Sequence, residues 1–274
     1  MILDLWKEYL AKNNISKRGS GESFWITLLN DVARRFSVQD AQKFRELLGK
    51  IIDCPSEQNV RDYGRFVYSH RMDERNSIED IVFGELFYNF HLNSVPFFYD
   101  SCREAKSILD IGCGSGWITV FLAKQFPEKE FIGIDICREA IDRARERAVF
   151  NSASNVNFLE LSIYLLSGIG KKYDLAILSN VLDESIKENA TMNTTVERVS
   201  YEFRFPEKFL QVSSVLESGG KVCIAMDPFP QYNEVYRDNL YSAMASAKIF
   251  PEQEPVLIDH GGKLKMMLLR GVKA

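Results

Sequence analysis

The sequence contains a candidate binding motif of three glycines at alternate positions, Gly112, Gly114 and Gly116. They lie in LDIGCGSGW (109–117), between an apolar run typical of a strand and an apolar segment typical of a helix. Glycine lets the backbone turn sharply and lets a ligand touch main-chain atoms. The helix that follows would offer unpaired N–H groups to that ligand. The spacing therefore predicts a turn that binds a ligand.

An acidic residue follows this turn at the interval expected of a nucleoside site. Asp135 ends the run EFIGID (130–135), nineteen residues after Gly116. A carboxylate at the end of a second strand can accept two hydrogen bonds from a ribose diol. The G-x-G-x-G spacing differs from the G-x-G-x-x-G of dinucleotide sites, which leaves room for a pyrophosphate. We therefore predict a nucleoside-containing cofactor other than NAD.

The elements that must position these residues change character near residue 105. Before it, helical patterns cover 3–12 and 22–36, and Ser37 with Asp40 forms a capping box for a third helix. After it, helical segments separate most of a series of strand-like runs: SILDI, EFIGID, NVNFLEL, YDLAILSN, KVCIAM, PVLID and KLKMMLLRG. This alternation predicts a parallel sheet with helices on both faces. Only HGG separates the last two runs, so they should form an antiparallel hairpin.

The predicted fold class is α/β, with a doubly wound, Rossmann-like, seven-stranded sheet that ends in an antiparallel hairpin. We place this sheet domain at residues 105–274 and an N-terminal all-helical cap domain at residues 1–104. Ligands of such sheets bind in the crevice at the carboxyl ends of the strands. We expect the cap to cover that crevice and to shape the substrate pocket.

Composition narrows the range of partners and compartments. The 274 residues carry a net charge of −4, with 46% hydrophobic and 26% charged residues, which is typical of a globular protein. A slightly acidic chain gains no broad attraction to phosphate backbones or anionic lipids, so we predict no nucleic acid and no membrane as partner. The five cysteines form no C-x-x-C pair, and MILDLWKEYL lacks the basic start of a signal peptide; both favour a cytoplasmic location. The three histidines lack ligand spacing, so we predict no metal site.

Taken together, these motifs resemble the class I S-adenosylmethionine-dependent methyltransferases. Their first motif is similar to LDIGCGSG (109–116), and their second strand ends like GID (133–135). The resemblance covers roughly residues 105–272, including YDLAILSNVLDE, ESGGKVCIA and the closing hairpin. It implies S-adenosyl-L-methionine as cofactor and S-adenosyl-L-homocysteine as product.

The resemblance also implies roles for individual residues. The backbone of the glycine turn would line the methionine part of the cofactor, with Asp110 directed toward its amino group. Asp135 would hold the ribose hydroxyls, and Ile136 would pack on the adenine. The positions implied for cofactor binding are Asp110, Gly112, Cys113, Gly114, Gly116, Asp135, Ile136, Ser162 and Asn180.

The adenine contact departs from the pattern of that family. Its members commonly carry an aspartate after the third strand, which accepts a hydrogen bond from the adenine amine. In this sequence Ser162 takes that position, and a serine makes a weaker acceptor than a carboxylate. Glu160, two residues earlier, is the alternative.

Candidates for catalysis are few, because methyl transfer from a sulfonium has a good neutral leaving group and relies on positioning and desolvation. A base is needed only if the acceptor must lose a proton. The resemblance places acceptor-side groups in SNVLDES (179–185), which makes Asp183 and Glu184 candidates, unless they only solvate a helix start. His91 is a third candidate, within the aromatic segment FGELFYNFHLNSVPFFYD; its alternative role is in the core.

These observations predict a methyltransferase that acts on a small-molecule acceptor. The stretch SNVL replaces the Asn/Asp-Pro-Pro-Tyr motif of enzymes that methylate planar amides and exocyclic amines, so glutamine and DNA-adenine methylation are disfavoured. Two alternatives stay open. One is an aminobutyryl transferase similar to nicotianamine synthase, whose glycine turn usually carries a proline that GCGSGW lacks. The other is a binding module without catalysis, since a fold alone does not settle function.

Overall fold

The computed structural model describes residues 1–13, 15, 24–53, 56–73, 76–182, 205–226, 234–259 and 265–274. Within these ranges, every helix is too short or too polar to cross a lipid bilayer.

Helices dominate residues 1–104, which we call the front segment. Its elements are α1 (Ile2–Lys12), α2 (Phe24–Arg35), α3 (Val38–Asp53), α4 (Glu57–Ser69), the short strands β1 (Arg71–Asp73) and β2 (Asn76–Ser77), α5 (Ile78–Val82) and α6 (Tyr88–Cys102). A π-helical turn, Phe83–Phe87, joins α5 to α6. The predicted cap of α3 is confirmed, because the Asp40 N–H donates to Ser37 Oγ at 3.0 Å. Helix α4 and the β1–β2 pair were not predicted.

Strands and helices alternate from residue 105 onward, as predicted. The elements are β3 (Ser107–Ile111), α7 (Trp117–Gln125), β4 (Glu130–Asp135), α8 (Arg138–Phe150), β5 (Val156–Glu160), a 3-10 helix (Ile163–Ile169), β6 (Tyr173–Ser179), α9 (Phe205–Ser214), β7 (Leu216–Met226), α10 (Glu234–Ser246), β8 (Ile249–Pro251), β9 (Val256–Asp259) and β10 (Lys265–Lys273).

These strands form one sheet in the order β5-β4-β3-β6-β7-β10-β8, with β9 also paired to β10. Neighbours from β5 to β7 are parallel, and β10 is antiparallel to β7, β8 and β9. The predicted α/β class and the closing hairpin are therefore confirmed, with Asp259 opposite Lys265 across the hairpin. The sheet contains one strand more than predicted. The additional strand is β8, which was not predicted because it is only three residues long and ends at Pro251.

Two hydrophobic cores cover the two faces of this sheet. Along β3, Ile108 joins one core while Leu109 and Ile111 join the other, as the two-residue period of a strand requires. The first core includes α7 and α8 and also α1 and α6 of the front segment, with Trp6 fully buried in it. The second core contains α9 and α10. Two helices of the front segment thus belong to the core of the sheet.

The other front helices, α2 to α5, form a third core of their own. Its buried members are Leu28, Val32, Ala41, Phe44, Val67, Ile78, Ile81 and Val82. This helical layer lies at the carboxyl ends of the strands, where α4 contacts α8. The division of the chain at residue 104 into a cap domain and a sheet domain stays a prediction.

Candidate active site

A cavity of about 640 Å³ lies between the strand ends and the helical layer. One side, which we call the sheet wall, consists of residues 110–115, 134–137, 161–164 and 179–181. The other side, the front wall, is formed by residues of α4, α5, the π-helical turn and α6. Strands β3, β4, β5 and β6 are parallel neighbours, so their carboxyl ends bring the sheet wall together from four distant parts of the chain.

The glycine turn after β3 presents its main chain to the cavity. Gly112 and Gly114 have φ values of +71° and +52°, in the left-handed region that side chains rarely adopt. A Cβ at Gly112 would collide with the side chain of Val181, and a Cβ at Gly114 would lie 3.0 Å from the Tyr68 hydroxyl. The Cys113 N–H donates to the carbonyl of Ile134 at 2.9 Å, which fixes the turn to β4. The two glycines are therefore required by both the backbone conformation and the space.

Asp135 stands at the end of β4 and braces the same turn. Its Oδ2 accepts the N–H of Gly114 at 2.9 Å, and its Oδ1 accepts the N–H of Cys137 at 2.8 Å. Burial raises the pKa of Asp135 above its ordinary value, although these main-chain donors act in the opposite direction. Each carboxylate oxygen can accept more than one hydrogen bond. Asp135 can therefore brace the turn and still accept from hydroxyl groups of a ligand.

Asp110 is a second acid of the sheet wall, and it is only 2% exposed. The Thr119 hydroxyl donates to its Oδ2 at 2.5 Å, while its Oδ1 has no hydrogen-bond partner among the described residues. Burial raises the pKa of Asp110 to about 7. An unpartnered acceptor in a buried position is unfavourable unless a ligand completes it. A cationic group in the cavity would do so.

Helix α4 lies across the cavity and was missed by the sequence analysis. Arg61 donates to the carbonyl of Ile136, and Gly64 packs so closely on Cys137 that a Cβ would lie 2.9 Å from its Sγ. The signal that could have revealed the helix is the N-cap Ser56, whose hydroxyl accepts the N–H of Asn59 at 3.2 Å. Apolar and small residues then recur at Val60, Tyr63, Gly64 and Val67, the spacing of one helix face.

A buried ionic cluster ties α5 to the glycine turn. Glu79 is 4% exposed and accepts hydrogen bonds from the Ser115 hydroxyl, from Trp117 Nε1 at 2.7 Å and from Arg147 at 3.2 Å. Arg143 pairs with its other oxygen at 3.3 Å. Burial alone would raise the pKa of Glu79, but the two guanidinium groups and the hydrogen bonds hold it below its ordinary value. The helical layer is thus fixed to the turn through a single carboxylate.

Ser162 and Glu160, the two candidates for the adenine contact, have different surroundings. Ser162 lines the cavity, and its hydroxyl donates to the carboxylate of Glu57 at 2.5 Å. Glu160 instead lies on a neighbouring depression and pairs with Arg61 at 3.4 Å. Glu57, like Arg61 and Tyr68, belongs to the unpredicted helix α4.

His91 is the catalytic candidate that the structure describes. Its ring is buried against Phe83, with ring centroids 5.0 Å apart, and its Nδ1 lies 3.4 Å from Ser94 Oγ. It lines the front wall of the cavity, so both roles considered for it, core packing and catalysis, agree with its position. Asp183 and Glu184 lie outside the described residues.

The structure brings together nearly all of the predicted cofactor positions. Those that line the cavity are Asp110, Gly112, Cys113, Gly114, Asp135, Ile136, Ser162 and Asn180. Gly116 instead begins α7 behind the sheet wall, where a Cβ would lie 3.0 Å from both Ala144 and Phe158. Lys208, which the sequence analysis did not single out, also lines the cavity and donates to the carbonyl of Val181 at 3.0 Å.

Comparison with known proteins identifies the class. The model of the "Methyltransferase domain" family matches residues 103–257, so the chain belongs to this family. The release factor glutamine methyltransferase of Fusobacterium nucleatum is 42% identical over 77 residues, which are 28% of this chain and 22% of that protein. The tRNA (guanine-N(7)-)-methyltransferase of Porphyromonas gingivalis is 32% identical over 124 residues, 44% of this chain and 47% of that protein. The chain therefore spans less than half the length of these curated relatives.

A solved structure shares the fold. Magnesium protoporphyrin IX methyltransferase from Synechocystis PCC 6803, with bound S-adenosylmethionine, superposes with a TM-score of 0.54 at 16% identity. The match covers 80% of this chain and 97% of that one. The predicted membership of the class I S-adenosylmethionine-dependent methyltransferases is thereby confirmed, and the comparisons support S-adenosylmethionine as the cofactor.

The sheet wall fits this cofactor. The unpartnered Oδ1 of Asp110 is a suitable acceptor for an ammonium group, and Asp135 has capacity left for ribose hydroxyls. The main chain of the left-handed glycines lines a cavity of about 640 Å³, which provides space for a ligand beside the turn. Ile136 adds an apolar contact next to Asp135. Charge, hydrogen-bonding capacity and space therefore agree with an adenosyl amino acid.

Proposed function

We propose that this protein is an S-adenosylmethionine-dependent methyltransferase whose acceptor is a small molecule held between the sheet wall and the front wall. The observation that carries the proposal is the shared cavity, of about 640 Å³, bordered by the glycine turn on one side and by aromatic side chains on the other. Pockets for small ligands typically measure about 300–1,000 Å³ and are mostly apolar with a few placed polar groups. This cavity has that size and that composition.

The chain's own residues divide the work between cofactor and acceptor. S-adenosylmethionine, when bound, supplies a methyl group on a sulfonium. The leaving group of the transfer is the neutral thioether of S-adenosylhomocysteine. Asp110, Asp135 and the glycine turn would hold it by charge, by hydrogen bonds and by main-chain contact. Phe83 and Phe87 of the front wall would exclude water and orient the acceptor, which is the main contribution that this reaction requires.

His91 is the residue we propose as proton acceptor where the substrate must lose a proton. Its imidazole lines the same wall as Phe83 and Phe87, and imidazole is the most common general base in enzymes. Asp183 and Glu184 remain candidates for the same role. His91→Ala should lower kcat and leave the affinity for S-adenosylhomocysteine unchanged. The control is His70→Ala, because His70 lies at the carboxyl end of α4 and is half-exposed; this variant should change neither quantity.

The test combines binding with an acceptor screen. We expect S-adenosylhomocysteine, but not NAD, to bind in calorimetry. With methyl-labelled cofactor, we expect transfer to a member of a small-molecule library and none to total tRNA or to protein. Because two relatives are named for a release factor and a tRNA, label in either macromolecule alone would overturn the small-molecule proposal. The product mass distinguishes a methyl from an aminobutyryl group.

A further inference from the structure

The order of the strand ends indicates where the base of the cofactor must lie, and this step rests on the proposed function. Strands β3, β4 and β5 are neighbours and end respectively in the glycine turn, in Asp135 and in the segment that contains Ser162. If the turn holds the amino acid part and Asp135 holds the ribose, the base lies beyond Asp135, over the end of β5. Ile136, Ser162 and Ile163 line that end of the cavity.

Adenine presents an exocyclic amine, which is a hydrogen-bond donor and needs an acceptor at this end. The Ser162 hydroxyl has one hydrogen, which goes to Glu57, and its oxygen already accepts the N–H of Tyr164 at 3.1 Å. Glu160 is turned to Arg61 and lies outside the cavity lining. Among the described side chains that line this end, Glu57 therefore offers the most acceptor capacity, since a carboxylate has about four acceptor positions and the Ser162 oxygen has one of its two left.

The position of Glu57 is fixed by the helix that carries it. One turn further along α4, Arg61 donates to the carbonyl of Ile136, the residue that follows Asp135. Another turn on, Gly64 packs on Cys137 so closely that any side chain would collide. The Ser162 hydroxyl completes this arrangement by donating to Glu57 Oε1 at 2.5 Å. Three contacts thus hold a carboxylate of the front segment against the end of β5.

We propose that Glu57 accepts the hydrogen bond from the adenine amine, so that selection of the adenine base is made by the front segment and not by the sheet. Ser162 then acts as a positioning residue, which directs the carboxylate into the cavity. The cofactor site extends beyond the matched family domain, residues 103–257, into helix α4. The front segment consequently contributes to cofactor choice as well as to the acceptor pocket.

The experiment compares two ligands that differ only at the base. S-adenosylhomocysteine carries the amine, and S-inosylhomocysteine has a carbonyl oxygen in its place. Calorimetry with the full chain should show that the wild type prefers the adenosyl compound. Glu57→Ala should weaken binding of S-adenosylhomocysteine by about tenfold, because a hydrogen bond to a charged acceptor is lost. Binding of S-inosylhomocysteine should be nearly unchanged. The matched control Glu160→Ala removes a nearby carboxylate outside the cavity lining and should keep the wild-type preference.

Further outcomes are separable. Glu57→Gln, which keeps the volume, should reduce the preference less than Glu57→Ala, and thermal unfolding of each variant should match the wild type. An equal loss for both ligands in Glu57→Ala, or a collapse of the preference in Glu160→Ala, overturns the assignment and leaves the proposed function standing. A wild-type protein that binds neither ligand overturns both.

Discussion

The two aspartates of the sheet wall differ in how far the protein itself satisfies them. Asp135 accepts two main-chain N–H groups, whereas Asp110 keeps one oxygen without a partner in the described part of the chain. Both are desolvated, which disfavours their charged forms. Asp135 is therefore a part of the folded turn, whereas Asp110 keeps acceptor capacity that the described residues do not use.

Asp135→Ala should weaken binding of S-adenosylhomocysteine by roughly 1.5–3 kcal/mol, because hydrogen bonds to a charged acceptor are lost. It should also lower the melting temperature, since the N–H groups of Gly114 and Cys137 lose their acceptor. Calorimetry and thermal unfolding measure the two effects. Asp142→Ala, a half-exposed acid on α8, serves as the control that should change neither. An unchanged affinity in Asp135→Ala would rule out the ribose contact.

Asp110→Asn should have opposite effects on stability and on binding. The folded-state pKa of about 7 exceeds the ordinary 3.8, so the folded protein binds the extra proton between these values. Ionisation of Asp110 therefore lowers the free energy of unfolding by about a few kcal/mol as the pH rises from about 4 to about 7. The asparagine variant should lack this loss and unfold at higher urea concentration than the wild type above pH 7.

Binding at Asp110 should follow the reverse pH dependence. Wild-type affinity for S-adenosylhomocysteine should rise as the pH increases through about 7, because the ionised carboxylate is the form that attracts an ammonium group. In Asp110→Asn this rise should disappear. Calorimetry from pH 5.5 to 8.5 tests it, and parallel curves for the two proteins would contradict the assigned contact.

At the scale of elements, seven of the eight strands described in the large sheet were predictable, and helix α4 was not. Strands β3 and β6 each contain a short apolar run between polar turns, and burial on both faces produces that signal directly. Helix α4 buries only one narrow face, which includes Gly64, and its other faces are polar, so few apolar residues mark it in the sequence. The strand-end residues that line the cavity were therefore predicted, while Glu57, Arg61 and Tyr68 of α4 were missed. Their proximity to the strand ends depends on tertiary packing that a single sequence does not display.

Gly64→Ala tests whether α4 packs closely against the loop after β4. In a helix, alanine is favoured over glycine by about 1 kcal/mol. At Gly64, however, the new Cβ would lie 2.9 Å from Cys137 Sγ, so we expect lower stability and weaker binding of S-adenosylhomocysteine. Gly49→Ala in α3 is the matched control, because no described atom outside its own helix and its chain neighbours lies within 4 Å of its Cβ position; it should be stabilising. Equal stabilisation by both substitutions would contradict the close packing of Gly64 on Cys137.

Glu79→Gln should destabilise the protein by about 3–5 kcal/mol, because it leaves the buried guanidinium of Arg147 without its anion and removes the shorter of the two carboxylate contacts of Arg143. Glu146→Gln is the control: Glu146 also pairs with Arg143 but is half-exposed, and such pairs contribute about 0–1 kcal/mol. Urea unfolding measures both. If the two variants were equally stable, the cluster at Glu79 would not be what holds α5 to the glycine turn.

At the scale of the whole molecule, the change in sequence pattern near residue 105 does not coincide with a gap in the core. Trp6 of α1 lies 4.9 Å from Phe121 of α7, between ring centroids, and both belong to the core that contains Ile108 of β3. Sequence patterns report the local structure of each segment, so they show where helices give way to strands. They do not show which helices share a core with the sheet. A cap that unfolds independently can include only elements outside that shared core.

Trp6→Ala tests this shared core. Removing a fully buried tryptophan should lower the free energy of unfolding by about 3–5 kcal/mol. Because Trp6 packs with α7, the loss should shift a single cooperative unfolding transition, measured by calorimetry and by the fluorescence of the remaining tryptophans. Leu5→Ala, on the exposed side of α1, should have little effect. Two transitions, with only the less stable one shifted by Trp6→Ala, would show instead that residues 1–104 unfold as a separate domain, as the sequence pattern alone predicts.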